Sequence, residues 1–134
     1  MNPEQVELIN YRLERATESM DEARLLLDNG HLNTCVNRLY YACFYTVSAL
    51  LMTKGFSSPK HSGVRALFDQ HWVKDGHVSV DLGRIYRNLF VNRQKGDYGE
   101  LVRFKEEEVR QWVINAERFI KEIGQVVQEG LPHG

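Results

Sequence analysis

Residues 37–52 read NRLYYACFYTVSALLM, and this stretch decides the fold. Leu39, Cys43, Val47 and Leu50 recur at helical spacing, with Tyr40, Phe44 and Leu51 crowding the flanks of the same stripe. A helix that is apolar on nearly every side is covered on several faces, so its place is the centre of a bundle. The pattern predicts this helix from about His31 or Asn33 to Lys54, with a stop at Gly55. Its most apolar part, Tyr40 to Met52, is about 13 residues long and includes Thr46 and Ser48. That is too short to span a bilayer.

The covering helices lie on either side. Asn2-Pro3-Glu4 is a strong helix start, with Asn as cap and Pro in the first turn. From there Ile9, Leu13, Ala16, Met20, Ala23 and Leu27 form one apolar stripe, which predicts a helix over about 3–28 ended by Asn29-Gly30. After the loop Phe56–Pro59, a shorter helix is expected over about Ser62–Val73, burying Val64, Leu67, Phe68 and Trp72 and closed by Lys74-Asp75-Gly76. Ser79 or Asp81 caps a fourth, expected to run to about Gln94 and to pack Leu82, Ile85 and Leu89, with Tyr86 and Phe90 beside them. Gly96 and Gly99 then read as brackets around an Asp97-Tyr98 turn. A last helix from about Glu100 to Gln128 carries Val109, Trp112, Ala116, Phe119, Ile123 and Val126, and Leu131–Gly134 is read as a frayed tail.

These elements predict an all-α, antiparallel up-and-down bundle of four to five helices, filling residues 1–134 as one domain with a core over about 3–128. The apolar fraction is 43% and the charged fraction 26%, ordinary for a globular chain and too apolar for disorder. Lys and Arg number 17 against 18 Asp and Glu, so any polyanion site has to be a local patch. Cys35 and Cys43 sit eight apart inside the central helix and suit a reducing compartment. The N-terminal MNPEQVELINYRLERATESMDEARLLL places acids and arginines where a signal peptide needs a bare apolar run. A cytoplasmic location follows as the expectation, with no membrane association. Stripes along the full length of the first and last helices leave apolar surface to cover, which points to a homodimer.

No phosphate-cradling glycine loop, GxSxG, HExxH or paired metal spacing occurs, so neither a metal nor a cofactor is expected. Glu106-Glu107-Glu108 reads as a solvated face. Between Arg84 and Lys95, by contrast, stand Arg84, Arg87, Arg93 and Lys95 with no acid among them. Such a cluster next to Asp97 and Tyr98 suits phosphate held by forked hydrogen bonds and a base stacked on Tyr98 or Tyr86. Taken singly, each arginine can equally pair with acids of the first and last helices. Lys60-His61-Ser62-Gly63 opens the third helix, where free N–H groups favour an anion; alternatively Ser62 simply caps the helix. Asn37, Arg38, Tyr40 and Tyr41 are polar groups on a buried helix and need partners. Arg38 can pair with an acid of a neighbouring helix and Tyr40 can donate its hydroxyl across the bundle, or the group can line a cleft.

The order of these motifs carries a resemblance. Tyr40-Tyr41-Ala42-x-Phe44, Lys60-His61-x-Gly63-Val64 and Arg93 through Asp97-Tyr98, set between a long first and a long last helix, resemble the HEPN domain family over about residues 8–125. The likeness is to its small stand-alone prokaryotic members. The resemblance implies a dimeric helical bundle encoded beside a minimal nucleotidyltransferase in a toxin–antitoxin or defence pair. Many members are metal-independent RNases with an Arg-x4–6-His motif. There, histidine moves the 2′-hydroxyl proton and arginine stabilises the charged phosphorane. Here the positions reached from Arg93 across four to six intervening residues hold Tyr98, Gly99 and Glu100, and those reached from Arg87 hold Asn92, Arg93 and Gln94. Arg65 and His71 have the spacing but lie too early in the chain.

The first expectation is therefore a nucleotide- or RNA-binding member with a degenerate RNase motif. Its binding residues are Arg87, Arg93, Asp97, Tyr98, Lys60, His61, Arg38 and Tyr40. The second is an active RNase using Arg93 with His61, which requires the third and fourth helices to meet. The third is a purely structural interaction module. By analogy with such pairs, Tyr98 is the tyrosine to which a partner transferase would attach nucleotides.

Overall fold

In the computed structural model, which describes residues 1–99 and 101–132, four α-helices pack around a central fifth and no strand occurs among the described residues. They are α1 (Pro3–Asp28), α2 (Leu32–Met52), α3 (His61–Phe68), α4 (Val80–Tyr98) and α5 (Glu106–Glu129). Asn2 closes the start of α1 with a capping box: its side chain accepts from Gln5 N–H, and the Gln5 side chain accepts from Asn2 N–H. Gly30, at φ 76°, turns the chain straight back into α2. The apolar stripes of α1 and α2 are thereby laid antiparallel.

The prediction that α2 is central holds in detail. Cys35, Val36, Leu39, Cys43 and Val47 are fully buried, and α2 touches α1, α3, α4 and α5. Ile9, Met20, Ala23 and Leu27 of α1 and Val109, Ala116, Phe119 and Ile123 of α5 close over it. Burial pushes the Cys35 thiol up to about 11 and the Cys43 thiol higher still, so both stay protonated as small core groups.

Four boundaries differ from the sequence reading, each for a physical reason. The third helix begins at His61 with Lys60 as its extended cap residue, so Ser62 lies inside it and does not cap it. Ser58 Oγ serves the entrance instead, accepting from Lys60 N–H at 3.3 Å. Gly63 lets this loop close in, because a side chain there would collide with the Ser58 hydroxyl. Beyond Phe68 the helix widens into a π-helical turn over Asp69–Val73, closed by Lys74 N–H to Asp69 C=O at 2.8 Å, which seats Trp72 in the core.

The fourth helix, capped by Ser79 as expected, does not stop near Gln94 but continues to Tyr98. Asp97 and Tyr98 form its last turn rather than a loop between glycines. Gly96 is there for close packing: a Cβ at that position would stand 3.0 Å from the Phe104 ring. The last helix begins at Glu106, after an extended segment through Lys105 in which Phe104 packs edge-on against Trp112 at 5.4 Å. Its first turn is Glu106-Glu107-Glu108, three exposed acids at the positive end of a helix dipole. The expected start at Glu100 falls on a residue outside those described. At the other end Leu131 is buried, so the chain stays docked at least that far, while His133 and Gly134 lie outside the described residues.

Candidate functional site

Tyr40 is the residue around which the site is built. It lies on the side of α2 facing α3 and α4 and is fully buried. Its hydroxyl is 2.8 Å from His61 Nδ1, the first residue of α3. On its ring rests the guanidinium of Arg93, from the last part of α4, 4.7 Å from the centroid. One side chain thus holds the two residues that sequence reasoning proposed for phosphate chemistry. The third and fourth helices meet as the RNase reading required, with Phe68 edge-on to Tyr86 at 5.7 Å and Arg65 over Phe90 at 4.4 Å.

The surroundings of Arg93 are unusual for a cation. Its side chain is only 9% exposed, and its nearest carboxylate, Asp97 one turn later, stands at 3.8 Å, beyond hydrogen-bond reach. Arg93 Nε is buried without a partner. What shelters the charge is the π-face of Tyr40, with that of Tyr41 at 5.8 Å. Asp97 is held from the other side by Asn37, whose amide donates to its Oδ2 at 2.9 Å. Asn37 Oδ1 in turn accepts from Arg38, which lies over the Tyr41 ring at 5.0 Å and reaches Glu22 of α1 at 3.8 Å. The polar residues of α2 therefore do find partners on neighbouring helices.

His61 is sandwiched on the opposite side. Its imidazole stacks on Phe44 at 4.3 Å and 12° between planes. Burial first, and the nearby Arg93 charge second, push its pKa below the ordinary histidine value, so it is neutral at neutral pH. The Tyr40 phenol is pushed up to about 12, chiefly by burial, and stays protonated. Chemically the group offers a desolvated guanidinium with unused donors beside a neutral imidazole. That combination is chemically able to bind a phosphate diester oxygen and to accept a proton next to it.

Of the residues singled out from sequence, Arg93, His61, Tyr40, Asp97 and Arg38 are thus linked into one network. Arg87, Lys60 and Tyr98 are not. Arg87 is exposed and lies with Arg65 near Asp69, whose carboxyl burial nevertheless holds above the usual range. Lys60 is exposed ahead of His61, and Tyr98 is 78% exposed at the end of α4. Arg84 pairs loosely with Asp81 of its own helix at 3.8 Å. The Arg65–His71 pair diverges: His71 stacks on Phe56 at 4.4 Å while Arg65 covers Phe90. Sequence reading passed over Glu22 and the role of Phe44 as the support of His61. An i, i+4 step from Tyr40 to Phe44 is the one local signal, since it puts both rings on one face. Among the described residues no group of three potential ligands for a metal ion occurs, and no helix is long and apolar enough to cross a membrane.

Comparison with known proteins adds an independent line. A family model described as HEPN domain matches residues 9–126. A UPF0332 protein of Thermotoga maritima is 48% identical over 126 residues, covering 94% of this chain and 96% of that protein. A protein of Methanocaldococcus jannaschii bearing the name "Putative toxin" is 33% identical over 131 residues, covering 98% of this chain and 97% of its own length. A UPF0332 protein of Gloeobacter violaceus is 37% identical over 99 residues, or 74% and 75% of the two chains.

Proposed function

Because this chain belongs to the HEPN domain family, we propose that it is the RNA- or nucleotide-binding component of a toxin–antitoxin or defence pair, holding phosphate at Arg93. It acts as a homodimer alongside a minimal nucleotidyltransferase. The observation that carries this reading is the near-buried Arg93 guanidinium, whose Nε has no partner although an imidazole and two tyrosine rings surround it. An unpaired buried donor costs free energy unless something completes it, and an entering phosphate oxygen does so. Arg38 and Asp97 hold the frame, while exposed Arg87 and Lys60 extend the positive surface along which a polyanion approaches. The name "Putative toxin" borne by the Methanocaldococcus jannaschii relative supports the pairing. Exposed Tyr98, close to the site along α4, is the acceptor for nucleotide transfer by the partner.

The test is retention of short single-stranded RNA by the purified chain, without metal, beside Arg93→Ala. Loss of at least tenfold in affinity is expected; unchanged affinity overturns the reading. Intact mass after co-expression with the neighbouring transferase checks Tyr98, where an unmodified chain counts against that role.

A second reading is favoured by one observation, the meeting of neutral His61 and Arg93 on a single ring. In it His61 takes the proton of a ribose 2′-hydroxyl and the freed oxygen attacks phosphorus. The bond to the 5′-oxygen breaks, and that oxygen takes a proton from water, leaving a 2′,3′-cyclic phosphate. Arg93 stabilises the phosphorane. Metal-independent cleavage lost in both Arg93→Ala and His61→Ala supports it. Cleavage surviving both, or absent from the unaltered chain, leaves binding as the function.

A further inference from the structure

Tyr40 and His61 share one hydrogen bond, and which of them gives the proton decides what His61 offers to the cleft. The imidazole is seated by three rings. Phe44 stacks on it at 4.3 Å, the Tyr40 ring lies nearly parallel at 5.7 Å, and Tyr41 stands edge-on at 5.7 Å. In that seat Nδ1 faces the Tyr40 hydroxyl at 2.8 Å. Turned over, the imidazole would set a carbon against the hydroxyl and the bond would be lost.

His61 is neutral at neutral pH and so carries one ring proton, on Nδ1 or on Nε2. The partner of one nitrogen fixes the state of the other. Tyr40 is fully buried, and His61 Nδ1 is the only hydrogen-bond partner of its hydroxyl among the described residues. If Nδ1 held the proton, it would donate to the Tyr40 oxygen, and the phenolic O–H would be left buried with no acceptor. Tyr86, whose ring stacks parallel to Tyr40 at 6.0 Å, offers no escape. Its own hydroxyl is buried without a partner, so a proton passed to it only strands another. With Tyr40 donating to Nδ1, its proton is matched and the imidazole proton stands on Nε2. That nitrogen makes no hydrogen bond among the described residues and is not one of the buried unpartnered atoms, so it is open to solvent.

We infer that Tyr40 is a positioning residue that holds His61 as the Nε2–H tautomer, so that the imidazole presents a hydrogen-bond donor, and no lone pair, at its solvent edge. The role of that donor, meeting an anionic oxygen near Arg93, rests on the phosphate reading given above; the tautomer does not. The inference counts against His61 as a base, because Tyr40 occupies the one ring lone pair that could take a proton.

The tautomer is read on the full chain without ligand, at neutral pH, by long-range proton–nitrogen NMR of isotope-labelled histidine, with His61→Gln assigning the signals. Nε2 is expected to be the proton-bearing nitrogen. In Tyr40→Phe, which keeps the ring, the two nitrogen shifts are expected to draw together as the tautomers interconvert. Tyr86→Phe is expected to leave them in place. Circular dichroism confirms that each variant is folded. A proton on Nδ1, or an unmoved spectrum in Tyr40→Phe, overturns the inference. So does a change in Tyr86→Phe as large as that in Tyr40→Phe, because Tyr40 then donates to Tyr86.

The donor role is read by retention of short single-stranded RNA. His61→Ala is expected to lose about tenfold in affinity, and His61→Gln, whose amide keeps a donor and supplies no base, to recover most of it. Equal loss in both overturns that role. An Nε2–H tautomer beside retention indifferent to Arg93→Ala removes the phosphate reading and leaves the positioning intact. An Nδ1–H tautomer beside retention lost in Arg93→Ala does the reverse.

Discussion

Two faces of α2 do opposite work. One carries Val36, Leu39, Cys43, Val47 and Leu50, which are buried in the apolar core of the bundle. The other carries Asn37, Arg38, Tyr40, Tyr41 and Phe44, and against it sit an arginine, a histidine and a carboxylate. The first face is held by area alone. The second holds charge in a nearly dry place by setting aromatic faces beneath it, a solution in which the cation keeps its charge without a close carboxylate. The comparison teaches that what makes this region a site is an incompletely matched set of donors inside a well-made core.

The comparison can be attacked at its strongest point first. Leu39→Ala is expected to cost about 3 kcal/mol in denaturant unfolding, because a fully buried leucine leaves a cavity that the neighbouring helices cannot close. A cost below about 1 kcal/mol would mean that this face is not the structural one.

Tyr40→Phe keeps the ring under Arg93 and removes only the bond to His61, so about 1 kcal/mol of stability is expected to go. The His61 titration, followed by NMR, should move with it. An unmoved titration would separate His61 from Tyr40.

Arg93→Met should change stability by less than about 1 kcal/mol in either direction, since an apolar chain of similar length replaces an under-bonded charge. RNA retention should be lost nonetheless. This split, large for binding and small for folding, is the sharpest form of the contrast between the faces.

The pH dependence follows from the lowered His61 pKa. The native imidazole resists protonation, so below about pH 6.5 the unfolded chain takes up the proton more readily than the folded one. Stability is therefore complete above that value and declines as the pH falls through the native pKa. His61→Asn should flatten this acid slope in thermal unfolding. Smallest of all, Arg118→Ala, which breaks an exposed pair with Glu122 at 2.8 Å, is expected to cost no more than about 0.5 kcal/mol.

Much of this was legible before any coordinates. The α1 stripe, the Asn2 cap, the glycine turn at Gly30 and the central place of α2 follow from residue spacing, because helical periodicity and end-capping are local properties. Where the reading failed, a distant residue had intervened. Gly96 and Gly99 look like a turn until Phe104 is seen packed against Gly96, and Ser62 looks like a cap until the helix is seen to begin at His61, with Ser58 holding the Lys60 N–H ahead of it.

The sequence by itself determined which residues are helical, which stripes are buried and which side chains are chemically capable, since each depends on neighbours within a few positions. That Arg93, His61 and Arg38 are brought to one tyrosine pair, and that Arg87 and Tyr98 stand apart from them, were decided only by tertiary structure. Their separations along the chain carry no period, and only the packing angles of α2, α3 and α4 set which of them meet.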